Sequence, residues 1–186
     1  LGLGLIGFLD DWIKISKQRS LGLRSKAKML GQVSVGLIFA VLAINWEDEN
    51  GRTPITHAIS FTRDLPNWEL PTILLIVWIL FLIAGTSNGV NLTDGLDGLA
   101  TGASVMVFAA YMIINIWQSN QNCATAPGAQ CYEVRDPLDL AVIAAALTGA
   151  CFGFLWWNTS PAKIFMGDTG SLSLGGAMAG FAVMTR

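Results

Sequence analysis

The sequence predicts an all-α, polytopic membrane fold, and three observations carry that prediction. Apolar residues make up 53% of the 186-residue chain and charged residues only 13%, where a soluble domain holds about a quarter. Residues 70–84 and 101–117 contain no charged side chain, and apolar runs of about 17–25 residues suit a spanning helix. Carboxylates and lysines gather in short polar stretches between such runs instead of being spread along them. About five to six transmembrane helices are expected, with residues 1–186 forming a single membrane domain. An ordinary soluble domain is excluded, and no nucleic acid is expected as a partner.

Taken in order, residues 1–9 are apolar and read as the last turns of a membrane helix. The sequence therefore looks like an internal piece of a longer chain. Asp10-Asp11-Trp12-Ile13-Lys14 opens a polar stretch that carries Lys14, Lys17, Arg19, Arg24, Lys26 and Lys28, six of the chain's eleven basic residues. The positive-inside rule puts that stretch in the cytoplasm. Residues 29–46 leave it as a membrane helix. Residues 47–69 mix acids, Pro54 and Pro66 with short β-like pieces such as residues 58–62, and form an external loop with some structure of its own.

Residues 70–87 return inward and deliver residues 88–100 to the cytoplasmic face. Residues 101–117 go out again, 118–137 are external, and 138–157 come back, ending on Trp156 and Trp157 at the level of an interfacial belt. Residues 158–170 are then cytoplasmic, and 171–184 start one last outward helix with Arg186 at its far end. Parity brings Asp10 and Asp11, Asp94 and Asp97, and Asp168 to one side from three distant parts of the chain. The sequons at Asn91 and Asn158 fall on that side too, so neither reads as glycosylated.

Carboxylates at a membrane boundary are costly unless they meet water, a cation or a polar ligand, which marks residues 88–100 as a functional site. In helical geometry Asn91 and Asp94 share a face, as do Asp94 and Asp97. The competing reading is a hydrophilic turn. Cys123 and Cys131 lie in one external loop, where a disulfide and two free thiols are both open. Without a Cys/His cluster, and with His57 the sole histidine, no zinc site is expected.

Five carboxylates on one membrane face, with lysines nearby, suit a hard cation held by oxygen ligands, and Mg²⁺ fits best. Asp168 lies in Phe-Met-Gly-Asp-Thr-Gly-Ser, whose small residues can open backbone N–H groups toward an anion. Phe165 offers a stacking surface for a planar base, against the plainer reading of an interfacial anchor. Lys14, Lys26 and Lys163 can neutralise phosphate charge. Together these residues suggest phosphoryl transfer at a membrane surface, where positioning and charge neutralisation do most of the work.

Three motifs sharpen that reading: Asp10-Asp11-Trp-Ile-Lys14 with Leu21-Gly-Leu-Arg-Ser-Lys-Ala-Lys-Met-Leu-Gly-Gln32, Asn91-Leu-Thr-Asp-Gly-Leu-Asp-Gly-Leu-Ala100, and Pro161-Ala-Lys-Ile-Phe-Met-Gly-Asp-Thr-Gly-Ser-Leu-Ser-Leu-Gly-Gly176. In this order they resemble the phospho-N-acetylmuramoyl-pentapeptide transferases, within the polyprenyl-phosphate N-acetylhexosamine-1-phosphate transferase superfamily. The resemblance implies a ten-helix bacterial cytoplasmic-membrane enzyme with a cytoplasmic active site. This chain would run from the end of the third helix through most of the eighth. The implied reaction moves phospho-MurNAc-pentapeptide from UDP-MurNAc-pentapeptide to undecaprenyl phosphate, giving lipid I and UMP with Mg²⁺, in peptidoglycan synthesis.

By motif position, the resemblance makes Asp168 the Mg²⁺ ligand, Asp10 the base or nucleophile, and Asp11 a catalytic-site carboxylate. Asn91, Asp94, Asp97, Asn158 and Phe165 would form the nucleotide-sugar pocket, with Phe165 stacking on uracil beside Gly95, Leu96 and Asp97. Lys14 and Lys26 would contact phosphates. Direct attack by the lipid phosphate is favoured over a two-step route through Asp10, because the acceptor is mostly dianionic at neutral pH. Trp12 stands where the family commonly has tyrosine, without catalytic consequence. The family's histidine-rich cytoplasmic motif falls after residue 186, so residues 1–186 alone are expected to be inactive; a homodimer is left open.

The nearest rival is a superfamily relative that moves GlcNAc-1-phosphate from UDP-GlcNAc to a polyprenyl phosphate. A cation transporter would place acids near mid-helix, whereas these sit at helix ends on one side. A noncatalytic scaffold leaves their convergence unexplained.

Overall fold

A computed structural model describes residues 1–18, 21–60, 64–123, 127–128, 131–132 and 134–185. Among them are six helices and one small hairpin: α1 (Gly2–Ser16), α2 (Ser25–Asn45), β1 (Ala58–Ser60), β2 (Asp64–Glu69), α3 (Thr72–Thr93), α4 (Leu99–Asn120), α5 (Pro137–Asn158) and α6 (Gly167–Met184). The fold is all-α and polytopic. Four helices, α2 to α5, are long and apolar enough to cross a membrane; α1 has 15 residues and α6 has 18. Arg19, Phe61, Thr62 and Arg186, which the sequence reading assigned to loops and an end, lie outside the described residues.

The helices pack as two groups that share α6. Leu3 of α1, Ala40 and Ala43 of α2, Leu75, Ile79 and Ile83 of α3, and Leu172 and Ala179 of α6 make one buried cluster. Phe108 of α4, Leu140, Ala144 and Cys151 of α5, and Phe181 of α6 make the other. Hydrocarbon tails are as apolar as leucine, so close packing and hydrogen bonds join such helices rather than exclusion of water. Gly175 shows the first effect: a Cβ there would lie 2.5 Å from the Ser87 Cα of α3. The Thr86 hydroxyl shows the second, donating to the Gly175 carbonyl at 2.9 Å. Outward faces of α2 and α3 expose Leu37, Ile38, Ile73, Trp78 and Phe81, as lipid contact requires.

Two boundaries differ from the sequence reading. The α3 helix runs on to Thr93, so Asn88 and Asn91 sit on its last turns instead of in a loop, and Asp94 caps it. Hydrogen bonds explain the extension: Asn88 Nδ2 donates to the Gln32 Oε1 of α2 at 2.9 Å, and Gln32 Nε2 donates back to Asn88 Oδ1 at 3.3 Å. The α6 helix begins at Gly167, which puts Asp168 in its first turn. The expected β-like segment becomes β1, paired antiparallel with β2. Cys123 and Cys131 are joined as a disulfide, and Cys151 is free and buried.

A candidate active site at one end of the bundle

The end of α1 and the start of α6 meet at a glycine. A Cβ on Gly7 would lie 2.7 Å from the Thr169 Cα, so only glycine lets the two backbones come this close. The next turn of α1 then presents Asp10, Asp11 and Lys14 to α6. Carboxylate oxygens of Asp10, Asp11 and Asp168 lie within 4.8 Å of one another, although 157 positions separate Asp11 from Asp168.

Each carboxylate does a different job. Asp11 serves the first turn of α6: its Oδ2 accepts from the Thr169 N–H at 2.9 Å and the Thr169 hydroxyl at 2.7 Å, and its Oδ1 accepts from the Asp168 N–H at 3.4 Å. Those N–H groups have no partner inside their own helix. No side chain of α6 caps it, so Asp11 is a cap supplied from α1. Asp10 is 3% exposed and accepts from the Leu23 N–H at 2.6 Å, which folds residues 21–24 over the cluster.

Asp168 takes the positive charge. The Lys14 ammonium stands 2.8 Å from Asp168 Oδ2, 2.5 Å from Asp10 Oδ2 and 3.5 Å from Asp11 Oδ1. Lys28 adds a second ammonium at 2.9 Å from the same Asp168 oxygen. Burial pushes the Asp168 carboxyl up, but its contacts with Asp10, Lys14 and Lys28 outweigh this and hold it well below the usual carboxylate range. Burial likewise works against the Lys14 ammonium, and its bonds to Asp10 and Asp168 raise it above the ordinary lysine value.

Beside this cluster, residues 94–98 turn the chain from α3 into α4. Asn91 Oδ1 accepts from the buried Ser171 hydroxyl of α6 at 2.7 Å. Burial and then the charge of Asp168 push the Asp94 carboxyl up. Gly95, Leu96 and Asp97 are exposed, and Asp97 Oδ2 accepts from the Ala162 N–H at 3.0 Å. Asn158 is 3% exposed. Its Oδ1 accepts from the Gly98 N–H at 3.2 Å and the Thr101 hydroxyl at 2.8 Å, and its Nδ2 donates to the Ile164 carbonyl at 3.0 Å. The amide therefore braces the loop that carries Phe165. Phe165 itself is 72% exposed, and Lys163 lies over the Trp157 ring.

The structure thus brings Asp10, Asp11, Asp168 and Lys14 into contact, with Asn91, Asp94, Asp97 and Phe165 along the adjoining rim and Asn158 buried behind it. Lys26 is exposed on the first turn of α2 and stands outside the ion pairs described here. Lys28, which the sequence reading placed only in the basic stretch, is the α2 lysine on Asp168. Thr101, Thr169 and Ser171 were also missed. Their one signal is polarity beside a motif aspartate or asparagine, too common to single out. His57 is far from the cluster, on the hairpin end, where Nδ1 bonds the Leu70 carbonyl at 2.8 Å.

The sequence profile of glycosyl transferase family 4 matches residues 1–186. The chain belongs to glycosyl transferase family 4. Within that family it is 66% identical over 191 aligned residues to the phospho-N-acetylmuramoyl-pentapeptide-transferase of Nocardioides sp., covering 100% of this chain and 52% of the relative. The proteins of that name from Streptomyces avermitilis and Renibacterium salmoninarum are 64% and 62% identical, each covering 100% of this chain and 53% of the relative. The chain spans about half the length of the curated relatives it matches. The Asp10–Asp11–Asp168 cluster of this family 4 chain offers hard oxygen donors at a spacing that fits a divalent cation.

Proposed function

We propose that this chain supplies the carboxylate centre and part of the nucleotide surface of an enzyme that transfers phospho-MurNAc-pentapeptide from UDP-MurNAc-pentapeptide to undecaprenyl phosphate. The products are lipid I and UMP. One observation carries the reading: three carboxylates distant in sequence converge with two lysines at one end of a membrane bundle. High identity to transferases of that name supports the choice of substrates. The cluster of basic residues at the same end supports a cytoplasmic face in a bacterial plasma membrane.

Mg²⁺ held by Asp168, with Asp10 and Asp11 beside it, would supply charge neutralisation for the diphosphate. The chain's own residues do the rest. Lys14 and Lys28 meet phosphate oxygens, with Lys26 at the mouth as a longer-range attraction. Asp10 orients the lipid phosphate or takes its residual proton, and that phosphate displaces UMP in line. Phe165 stacks on uracil over Gly95, Leu96 and Asp97, Asn91 and Asp94 line the sugar side, and Asn158 keeps the Phe165 loop in place.

The test is the full-length protein with Mg²⁺ and undecaprenyl phosphate, offered UDP-MurNAc-pentapeptide or UDP-GlcNAc, with UMP and lipid product followed. Turnover with the pentapeptide donor alone is expected. Turnover with UDP-GlcNAc alone moves the function to the GlcNAc-1-phosphate branch. Residues 1–186 by themselves are expected to give none, and Mg²⁺-dependent product from them would refute that.

A further inference from the structure

We propose that Lys14 is an internal cation that competes with the divalent metal for the carboxylate cluster, and is released toward substrate phosphate when the metal binds. This rests on the metal reading given above. The geometry is specific to Lys14. Its ammonium reaches Asp10 Oδ2 at 2.5 Å, Asp168 Oδ2 at 2.8 Å and Asp11 Oδ1 at 3.5 Å, and so stands where the oxygens of all three acids converge. Lys28 reaches only Asp168 among them, and Lys26 is exposed.

Of the other three carboxylate oxygens, two are committed to the chain. Asp11 Oδ2 caps α6 through Thr169, and Asp10 Oδ1 holds the Leu23 N–H. A divalent ion that draws on all three acids must therefore use oxygens that Lys14 contacts. An ammonium and a doubly charged metal compete for them, because like charges a few ångströms apart repel, and more strongly when one of them is divalent. Binding of one thus weakens binding of the other by the same factor. Lys14 sits one helical turn after Asp10, on a long flexible stem that is about one-third exposed (33%). It can swing off the acids without moving α1. The displaced ammonium stays beside the metal, where a diphosphate would lie. One side chain thereby spaces the acids before metal binding and neutralises phosphate afterwards.

The experiment titrates Mn²⁺, as the sole divalent ion, into full-length protein in detergent, with bound metal read by electron paramagnetic resonance. The wild type is compared with Lys14→Met and Lys26→Met. Lys14→Met is expected to tighten Mn²⁺ by about tenfold or more, since it removes both the competitor and a nearby positive charge. Lys26→Met, an exposed lysine, is expected to shift affinity by less than about twofold. Equal or weaker binding by Lys14→Met overturns the inference, as does an equal tightening by both variants. Should Lys14→Met fail to fold, the wild type decides: saturating Mn²⁺ is expected to raise the acylation of Lys14 by an amine reagent, measured by mass spectrometry. Unchanged or lowered labelling overturns the proposal. Wild-type protein that binds no Mn²⁺ at millimolar concentration overturns the metal reading itself, and this inference with it.

Discussion

The two ends of this helix bundle use the same residue types in opposite ways. At the carboxylate end, Asp168 pairs with Lys14 and Lys28 across 154 and 140 positions of sequence. At the hairpin end two of the described pairs are local: Arg52 with Asp48 four residues away, and Arg135 with Asp136 next to it. A local pair fastens a loop and asks nothing of the fold. A long-range cluster of acids forces like charges together, which costs stability unless cations or metal balance them. The difference separates an end built to hold shape from an end built to hold charge.

The hairpin end has its own long-range tie, of a different kind. Arg135 donates to the main-chain carbonyls of Trp46 and Arg52, and Asn115 Nδ2 donates to the Thr185 hydroxyl at 3.2 Å. Those are neutral acceptors, satisfied on the spot. The carboxylate end leaves its charge concentrated.

Substitutions can break this contrast. The largest effect is expected from Asp168→Asn in the full-length protein, which should lower lipid I formation by about a thousandfold while the protein still purifies as a folded species. Asp48→Asn at the other end should leave turnover within about twofold, because that carboxylate pairs locally with Arg52 and not with the acid cluster. Comparable losses in both would erase the distinction. Next in size is Gly7→Ala, which pushes α1 off α6 and should cost about 1–3 kcal/mol of stability, read by thermal unfolding in detergent. Activity should fall with it, because the acids of α1 lose their place opposite Asp168.

Reducing the Cys123–Cys131 disulfide should cost about 2 kcal/mol or more yet leave transfer at 25 °C within about twofold, since the bridge belongs to the hairpin end. A parallel loss of turnover on reduction would show that the two ends are coupled. The smallest effect is expected from Thr169→Val. Asp11 then keeps its main-chain N–H partners on α6 and loses one hydroxyl, at a cost of about 1 kcal/mol. A loss well beyond that would mean that Asp11 caps α6 mainly through the hydroxyl.

Much of this was legible in the sequence because bilayer geometry leaves few choices. Apolar length marks the spans, the Lys/Arg bias orients them, and alternation then puts the three acidic motifs on one side. Asp10, Asp11 and Asp168 follow from that logic as a common set. Their division of labour does not. That Asp11 caps α6 depends on the approach of Gly7 to Thr169, a contact between helices at opposite ends of the chain.

The lysines show the same limit. Lys26 and Lys28 are equally plausible phosphate ligands by charge and motif, but two positions on an α-helix differ by about 200° in direction. Only the rotation of α2, fixed in part by the pairing of buried Gln32 with Asn88, decides that Lys28 faces Asp168. Asn158 likewise reads as a ligand in the motif, and its partners Gly98, Thr101 and Ile164 make it a brace. The sequence by itself determined the spans, their alternation and which residues carry charge, because those depend on composition over a helix length. The tertiary structure alone decided which charge meets which, because that depends on helix rotation and close approach, and neither is encoded in any one segment.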